Sequence, residues 1–211
     1  MSKVLILGAT GLVGQQILAL ALENEKIGQV IAPTRHALAS HPKLINPIIN
    51  YEQLPETAPW WKVDVVLCAL GTTMRMAGSN EAFYRVDHDY VINAASLAKA
   101  AGTPCFVLNS STGSKLDAGS FYLRVKAETE RDITALNFSS FTSVRPSFLD
   151  GGKRPEKRSG EAFSIAIAKL LGPLLPKRLR PISTNKVAIA MLSAGLKNQS
   201  SITIIESEQL H

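Results

Sequence analysis

The stretch FYLRVKAETE sets a phenol at Tyr122 and an amine at Lys126 one helical turn apart, so on a helix both point the same way. A free phenol ionises at about pH 10, too high for ready use as a base, and a lysine cation within a few ångströms favours the phenolate. Such a pair could exchange a proton with a carbonyl or alcohol oxygen. The spacing alone proves little, because a lysine-rich chain meets it by chance.

A second group is Gly8-Ala9-Thr10-Gly11-Leu12-Val13-Gly14, directly after the apolar run Val4 to Leu7 and before an amphipathic stretch. Glycine suits a tight strand-to-helix turn. A side chain at Gly11 would block a diphosphate approaching the helix N-terminus, and Gly14 lets helix and sheet pack closely. Gly8, Thr10, Gly11, Leu12, Val13 and Gly14 are therefore candidate dinucleotide contacts. The end of the second apolar run, Ile31-Ala32-Pro33-Thr34-Arg35-His36, carries no acid for the ribose hydroxyls of NAD and offers Arg35, a planar cation suited to a 2′-phosphate, so NADP(H) is favoured over NAD(H). After the fourth run, Leu70, Gly71 and Thr72 combine a close backbone approach with a hydroxyl that can bond phosphate or ribose.

These groups need elements to hold them. Short apolar runs recur at Val4 to Leu7, Val30 to Ala32, Leu44 to Ile49, Val63 to Leu70, Cys105 to Asn109, Phe141 to Val144 and Ile202 to Ile205. Such runs suit strands buried on both faces of a parallel sheet. Between them Leu12 to Glu23, Asn80 to Ala101 and Phe121 to Leu136 have helical length and spacing. The alternation predicts an α/β fold, a doubly wound parallel sheet whose ligands bind beyond the carboxyl ends of the strands. After about residue 146 the chain turns polar, then basic. We expect one domain over 1–211, with a dinucleotide-binding core at 1–146 and a small C-terminal substrate lobe with closing elements at 147–211.

The totals exclude several classes. At 211 residues and 45% apolar the chain can bury a sizeable core, and no run reaches the length of a membrane span. Cys68 and Cys105 lie in apolar runs, which reads as buried thiols in a reducing compartment and predicts a cytoplasmic protein. The net charge of +6 collects mainly in 153–180; no nucleic-acid-reading motif accompanies it, so no nucleic-acid partner is expected and the basic run reads as a solvated face or an anion-attracting one. The four histidines lack metal-ligand spacing and read as surface or loop residues, and Trp60-Trp61 as packing.

Taken together, the glycine turn, Leu70-Gly71-Thr72-Thr73, Tyr84-Arg85-Val86-Asp87-His88-Asp89-Tyr90-Val91, Leu97-Ala98-Lys99-Ala100-Ala101-Gly102 and Tyr122-Leu123-Arg124-Val125-Lys126 resemble the short-chain dehydrogenase/reductase superfamily, and more narrowly its atypical branch around the HIV Tat-interacting oxidoreductase and bacterial relatives. The resemblance implies a Rossmann-type sheet, NADP(H), a small-molecule carbonyl or alcohol substrate and a Ser-Tyr-Lys set. The family's tyrosine falls on Tyr122 and its lysine on Lys126, which would also hold the nicotinamide ribose. Its serine falls on Ser110, with Ser111 the neighbouring alternative, and the segment at Pro146 would lie beside the nicotinamide. Where many relatives have a Val-Asn pair this chain has Val86-Asp87, and no residue is assigned to that asparagine. The competing expectations are an NADPH-binding regulatory or interaction protein with a vestigial site and, third, an isomerase or epimerase of nucleotide sugars. Arg124, facing elsewhere on the helix, reads as an ordinary surface residue.

Overall fold

Val4, Leu5, Ile6 and Leu7 are all fully buried, as a strand must be when helices cover both of its faces. They belong to β1 (Ser2–Leu7). The computed structural model describes residues 1–150, 178, 180–197 and 200–211. The other strands are β2 (Ile27–Ile31), β3 (Leu44–Ile45), β4 (Val65–Cys68), β5 (Cys105–Asn109), β6 (Ser140–Arg145), β7 (Leu149–Asp150), β8 (Ile182–Ser183) and β9 (Ile202–Glu206). Seven of them form one sheet in the order β3-β2-β1-β4-β5-β6-β9, every neighbouring pair parallel. The chain winds outward from β1 in one direction and from β4 in the other, which is the Rossmann-type doubly wound arrangement and puts the switch point between β1 and β4.

The helices are α1 (Leu12–Glu23), α2 (Met74–Ala77), α3 (Asn80–Tyr84), α4 (Tyr90–Ala100), α5 (Phe121–Ala135) and α6 (Thr184–Lys197). Alternate strand residues separate into two cores. Val4 and Ile6 join Val13 and Ile17 of α1 and Val187 and Met191 of α6. Leu5 and Leu7 join Val91, Ala95 and Ala98 of α4 and Ile133 of α5. Each Val, Leu, Ile or Met among them, fully buried, contributes roughly 1.5–3 kcal/mol, so this two-sided cover is what holds the strands in register.

Two expected elements are altered. The run Leu44 to Ile49 keeps only Leu44–Ile45 as strand, because Pro47 has no N–H to continue the ladder; pairing resumes as a lone bridge between Thr34 and Ile48. The expected helix Asn80 to Ala101 runs through a π-turn at Arg85–Asp89, between α3 and α4. π-turns insert a residue and recur at functional sites.

After Pro146, β7 and β8 make a separate two-stranded parallel sheet, α6 covers the α1 face, and β9 extends the main sheet beside β6. The basic run at 153–180 lies outside the described residues except for Arg178 and Arg180. Among the described residues no helix is long and apolar enough to cross a membrane.

Candidate active site

The glycines of the first turn answer to different demands. Gly8 has φ +80°, and a Cβ there would lie 2.6 Å from the Leu70 nitrogen; at Gly14 a Cβ would lie 2.0 Å from the Gly8 oxygen. Both are required by the protein's own packing. Gly11 is not: a Cβ there would have only the Gly8 and Ala69 oxygens within 4 Å, at 3.4 and 3.9 Å. Gly11 also caps α1 without a side-chain hydrogen bond, and no acid stands in the first turn. α2 and α3, by contrast, are capped by the Thr73 and Ser79 hydroxyls. The α1 N-terminus thus presents its amides and positive dipole end, free of any side-chain cap, behind a residue with no side chain, which fits the diphosphate of a dinucleotide.

Beyond β2 the loop that carries Arg35 is braced from below. Asn46 Nδ2 donates to the Ala32 oxygen at 2.6 Å and to Thr34 Oγ1 at 2.7 Å, and the Tyr51 hydroxyl donates to the Pro33 oxygen at 3.3 Å. Burial, with Cys68 nearby, pushes the Tyr51 hydroxyl up to about 12, so it stays a neutral donor. Arg35 itself is exposed and has no ion-pair partner among the described residues.

Lys126 points into the middle of the site. Its side chain is 7% exposed, and its Nζ lies 2.7 Å from Oδ1 of Asp87, which is 1% exposed. The approach is oblique, a charge contact that leaves Oδ1 without an aligned hydrogen bond. Burial works against the ammonium, but Asp87 above all, with Tyr122 adding, outweighs it and holds the Lys126 pKa above its ordinary value. The other carboxylate oxygen accepts from the Thr72 amide at 2.7 Å. Gly71 completes the contact: a Cβ there would lie 2.9 Å from Asp87 Oδ1 and 3.5 Å from Lys126 Nζ. Tyr122 is half-buried, its ring 5.6 Å from that of Phe83 and 6.0 Å from Lys126 Nζ.

Ser110 follows β5, two strands from β1 at the same carboxyl edge. It is buried; its amide donates to the Val144 oxygen at 2.7 Å and its Oγ lies 3.3 Å from Ser114 Oγ. Ser111 is half-buried, its Oγ 3.5 Å from the Thr112 oxygen. Beside Ser110, Asn109 Oδ1 is buried with no hydrogen-bond partner. The loop is tied to the end of β6, since Thr112 Oγ1 donates to the Arg145 oxygen and the Thr112 amide to the Pro146 oxygen, both at 2.9 Å. Arg145 in turn grips Glu130 of α5 through Nε at 3.0 Å and Nη2 at 2.6 Å, and Glu206 of β9 through Nη1 at 2.9 Å. One side chain therefore joins the helix of Tyr122 and Lys126 to the strand that leads into Pro146.

The carboxyl edge thus carries Arg35 after β2, the glycine turn after β1, Leu70, Gly71 and Thr72 after β4, Ser110 after β5 and Pro146 after β6. Gly8 meets Leu70, and Gly71 meets Lys126. Asp87 was not assigned from sequence; its signal was the Val-Asp pair in place of Val-Asn. Two bland readings give way. Arg124 donates to the Ala118 and Gly119 oxygens at 2.9 and 3.1 Å, bracing the turn before α5. His88 is neither loop nor surface: it sits in the π-turn with its ring nitrogens 2.8 Å from Asp89 and 2.9 Å from Asp132 of α5. Trp61 is 1% exposed and donates to the Pro55 oxygen, as packing requires.

No family model matches the chain. Individual relatives do. The chain is 32% identical over 215 residues to "Protein FMP52, mitochondrial" of Eremothecium gossypii, covering 98% of this chain and 94% of that one. It is 34% identical to "Protein fmp52, mitochondrial" of Aspergillus fumigatus, covering 93% and 88%. It is 38% identical to "Protein HTATIP2" of Rattus norvegicus, covering 75% and 67%. Among solved structures, "MoeE5 in complex with UDP-glucose and NAD" superposes with a TM-score of 0.73 at 18% identity, covering 96% of this chain and 74% of that one. The Bordetella bronchiseptica enzyme WbmH in complex with NAD+ does so at 0.71 and 17%, covering 98% and 76%. These two likenesses establish the Rossmann-type fold.

The cytoplasmic expectation is overturned, because the FMP52 relatives are named as mitochondrial proteins. Cys68 and Cys105 are indeed buried and unpaired, yet free thiols separate oxidising from reducing compartments and do not tell one reducing compartment from another. By its identity to these relatives over most of its length, the chain belongs to the family of HTATIP2 and the FMP52 proteins, with a Rossmann-type fold.

Proposed function

We propose that the protein is an NADP(H)-dependent oxidoreductase that moves hydride to or from a small or medium carbonyl or alcohol substrate, with Tyr122 as proton donor or acceptor. The observation that carries this reading is the buried, charged Lys126, set against the Gly71 turn and 6.0 Å from the Tyr122 ring at the sheet's switch edge. The absence of any clash at Gly11, before an α1 without a side-chain cap, supports the dinucleotide, and the fold neighbours MoeE5 and WbmH are named in complex with NAD. Gly8, Thr10, Gly11, Leu12, Val13 and Gly14 would hold its diphosphate, with Leu70, Gly71 and Thr72 beside it. Arg35 would hold the 2′-phosphate and Pro146 would line the nicotinamide end. Residues 1–146 form the cofactor core in this reading and 147–211 supply the substrate side.

A nicotinamide held there would supply or take the hydride. Ser110 hydrogen-bonds the substrate oxygen and fixes it. Tyr122 gives that oxygen a proton in reduction and takes it in oxidation. Lys126 keeps the phenol's environment positive and holds ribose hydroxyls. A second reading, a dinucleotide-binding regulatory protein with a vestigial site, is favoured by one observation, the Asp87 carboxylate that offsets the Lys126 charge.

The test is oxidation of NADPH and NADH by purified protein against a panel of aldehydes and ketones, with both affinities measured for the wild type and Arg35→Asp. NADPH-dependent turnover is expected, and the substitution should weaken NADPH by roughly tenfold to a hundredfold, with NADH little changed. Binding with no turnover on any carbonyl supports the regulatory reading; equal loss of both dinucleotides removes the 2′-phosphate from Arg35.

A further inference from the structure

Resting on the oxidoreductase reading, we propose that Asp87 is a positioning residue that sets the working pH of the site: it fixes the Lys126 ammonium in place and cancels part of its charge, so Tyr122 feels a tempered cation. Asp87 is held at three points, two on its carboxylate and one on its backbone. Oδ1 lies 2.7 Å from Lys126 Nζ, Oδ2 accepts from the Thr72 amide at 2.7 Å, and the backbone oxygen accepts from Thr129 Oγ1 at 3.0 Å. Gly71 has no side chain where one would press on Oδ1. The π-turn puts Asp87 there.

A buried ion pair pays heavily in desolvation and is weak as a source of stability, so a role in the chemistry accounts for it better than one in folding. The groups facing Lys126 are few. Asp87 comes from the π-turn, Tyr122 from its own helix and Cys68 from β4. Burial pushes the Cys68 thiol up to about 12, so it carries no charge in any ordinary assay. Asp87 itself faces Lys126 and Cys68. Among the described residues, the charged group set against the Lys126 ammonium is then the Asp87 carboxylate. In alcohol oxidation the substrate hydroxyl proton passes to the Tyr122 oxygen as hydride leaves carbon for NADP+; reduction reverses both transfers.

Asp87→Asn keeps an oxygen for the Thr72 amide and removes the negative charge. The expected result is that the acid limb of the alcohol-oxidation pH profile moves down by about one pH unit, roughly tenfold in rate on that limb. Tyrosinate absorbance titrated with and without Tyr122→Phe should move the same way, and NADPH affinity should stay within about threefold. A purely structural residue would lower activity at every pH and leave the profile in place; an unmoved profile overturns the proposal. An upward shift overturns it too: Asp87 also holds the Lys126 pKa up against burial, and loss of the cation in Asp87→Asn would then outweigh loss of the offsetting charge. If no variant turns over any substrate, the oxidoreductase reading fails, and the tyrosinate titration still decides whether Asp87 tempers Lys126. Should Asp87→Asn fail to fold, Asp87→Ser, which retains a short acceptor, takes the same measurements.

Discussion

Gly11 and Gly14 are one residue type a helical turn apart, and the difference between them separates structure from ligand. A Cβ at Gly14 would collide with the Gly8 oxygen at 2.0 Å, whereas at Gly11 the nearest atom is 3.4 Å away. Gly14→Ala should therefore destabilise the fold by about 3 kcal/mol or more, read from urea midpoints, and Gly11→Ala by no more than about 1 kcal/mol. The same Gly11→Ala protein should lose most of its NADPH affinity in a fluorescence titration. Equal stability losses at the two positions would take away the case for a ligand at Gly11. At this scale Tyr122, Lys126 and the glycines were legible in the sequence because their spacing is local. Asp87 was not, since a contact between a π-turn and a helix far along the chain leaves no periodic mark.

At the scale of elements, the placement of α5 rests on polar ties as well as on Ile133. Glu130 is 7% exposed and takes two hydrogen bonds from Arg145 and one from Ser143 at 2.8 Å. The Glu130 hydrogen bonds, with Glu206 adding, hold the Arg145 pKa above its usual value against the effect of burial. Glu130→Gln should cost about 2 kcal/mol in urea unfolding, less than a fully dry pair because Glu206 still partners Arg145. It should also reduce kcat more than NADPH affinity, because what moves is the helix of Tyr122 and Lys126 relative to the Ser110 loop. The strands of the main sheet and helices α1, α4 and α5 were legible from apolar periodicity, whereas β7, β8, α2 and α6 were not. The shortening of β3 was not anticipated although Pro47 was in plain view, and the π-turn could not be read, because a single inserted residue hardly disturbs an apolar pattern.

Across the whole molecule, two cores clamp the sheet and leave its carboxyl edge for chemistry, and the buried Lys126–Asp87 pair couples that edge to stability. The folded Lys126 pKa is raised, so its contribution is fully present below the unfolded value of about 10.4 and is lost as pH climbs through the folded one. The gap in urea midpoint between wild type and Asp87→Asn should accordingly stay level from about pH 6 to 9 and shrink at higher pH. A gap that widens above about pH 10 would contradict the assigned charges. The central claim, that Tyr122 transfers the proton, is tested most directly by Tyr122→Phe, with kcat and NADPH dissociation measured on one preparation. The account expects turnover to fall by roughly a thousandfold or more while NADPH dissociation stays within about threefold; turnover that survives the loss of the hydroxyl would contradict it.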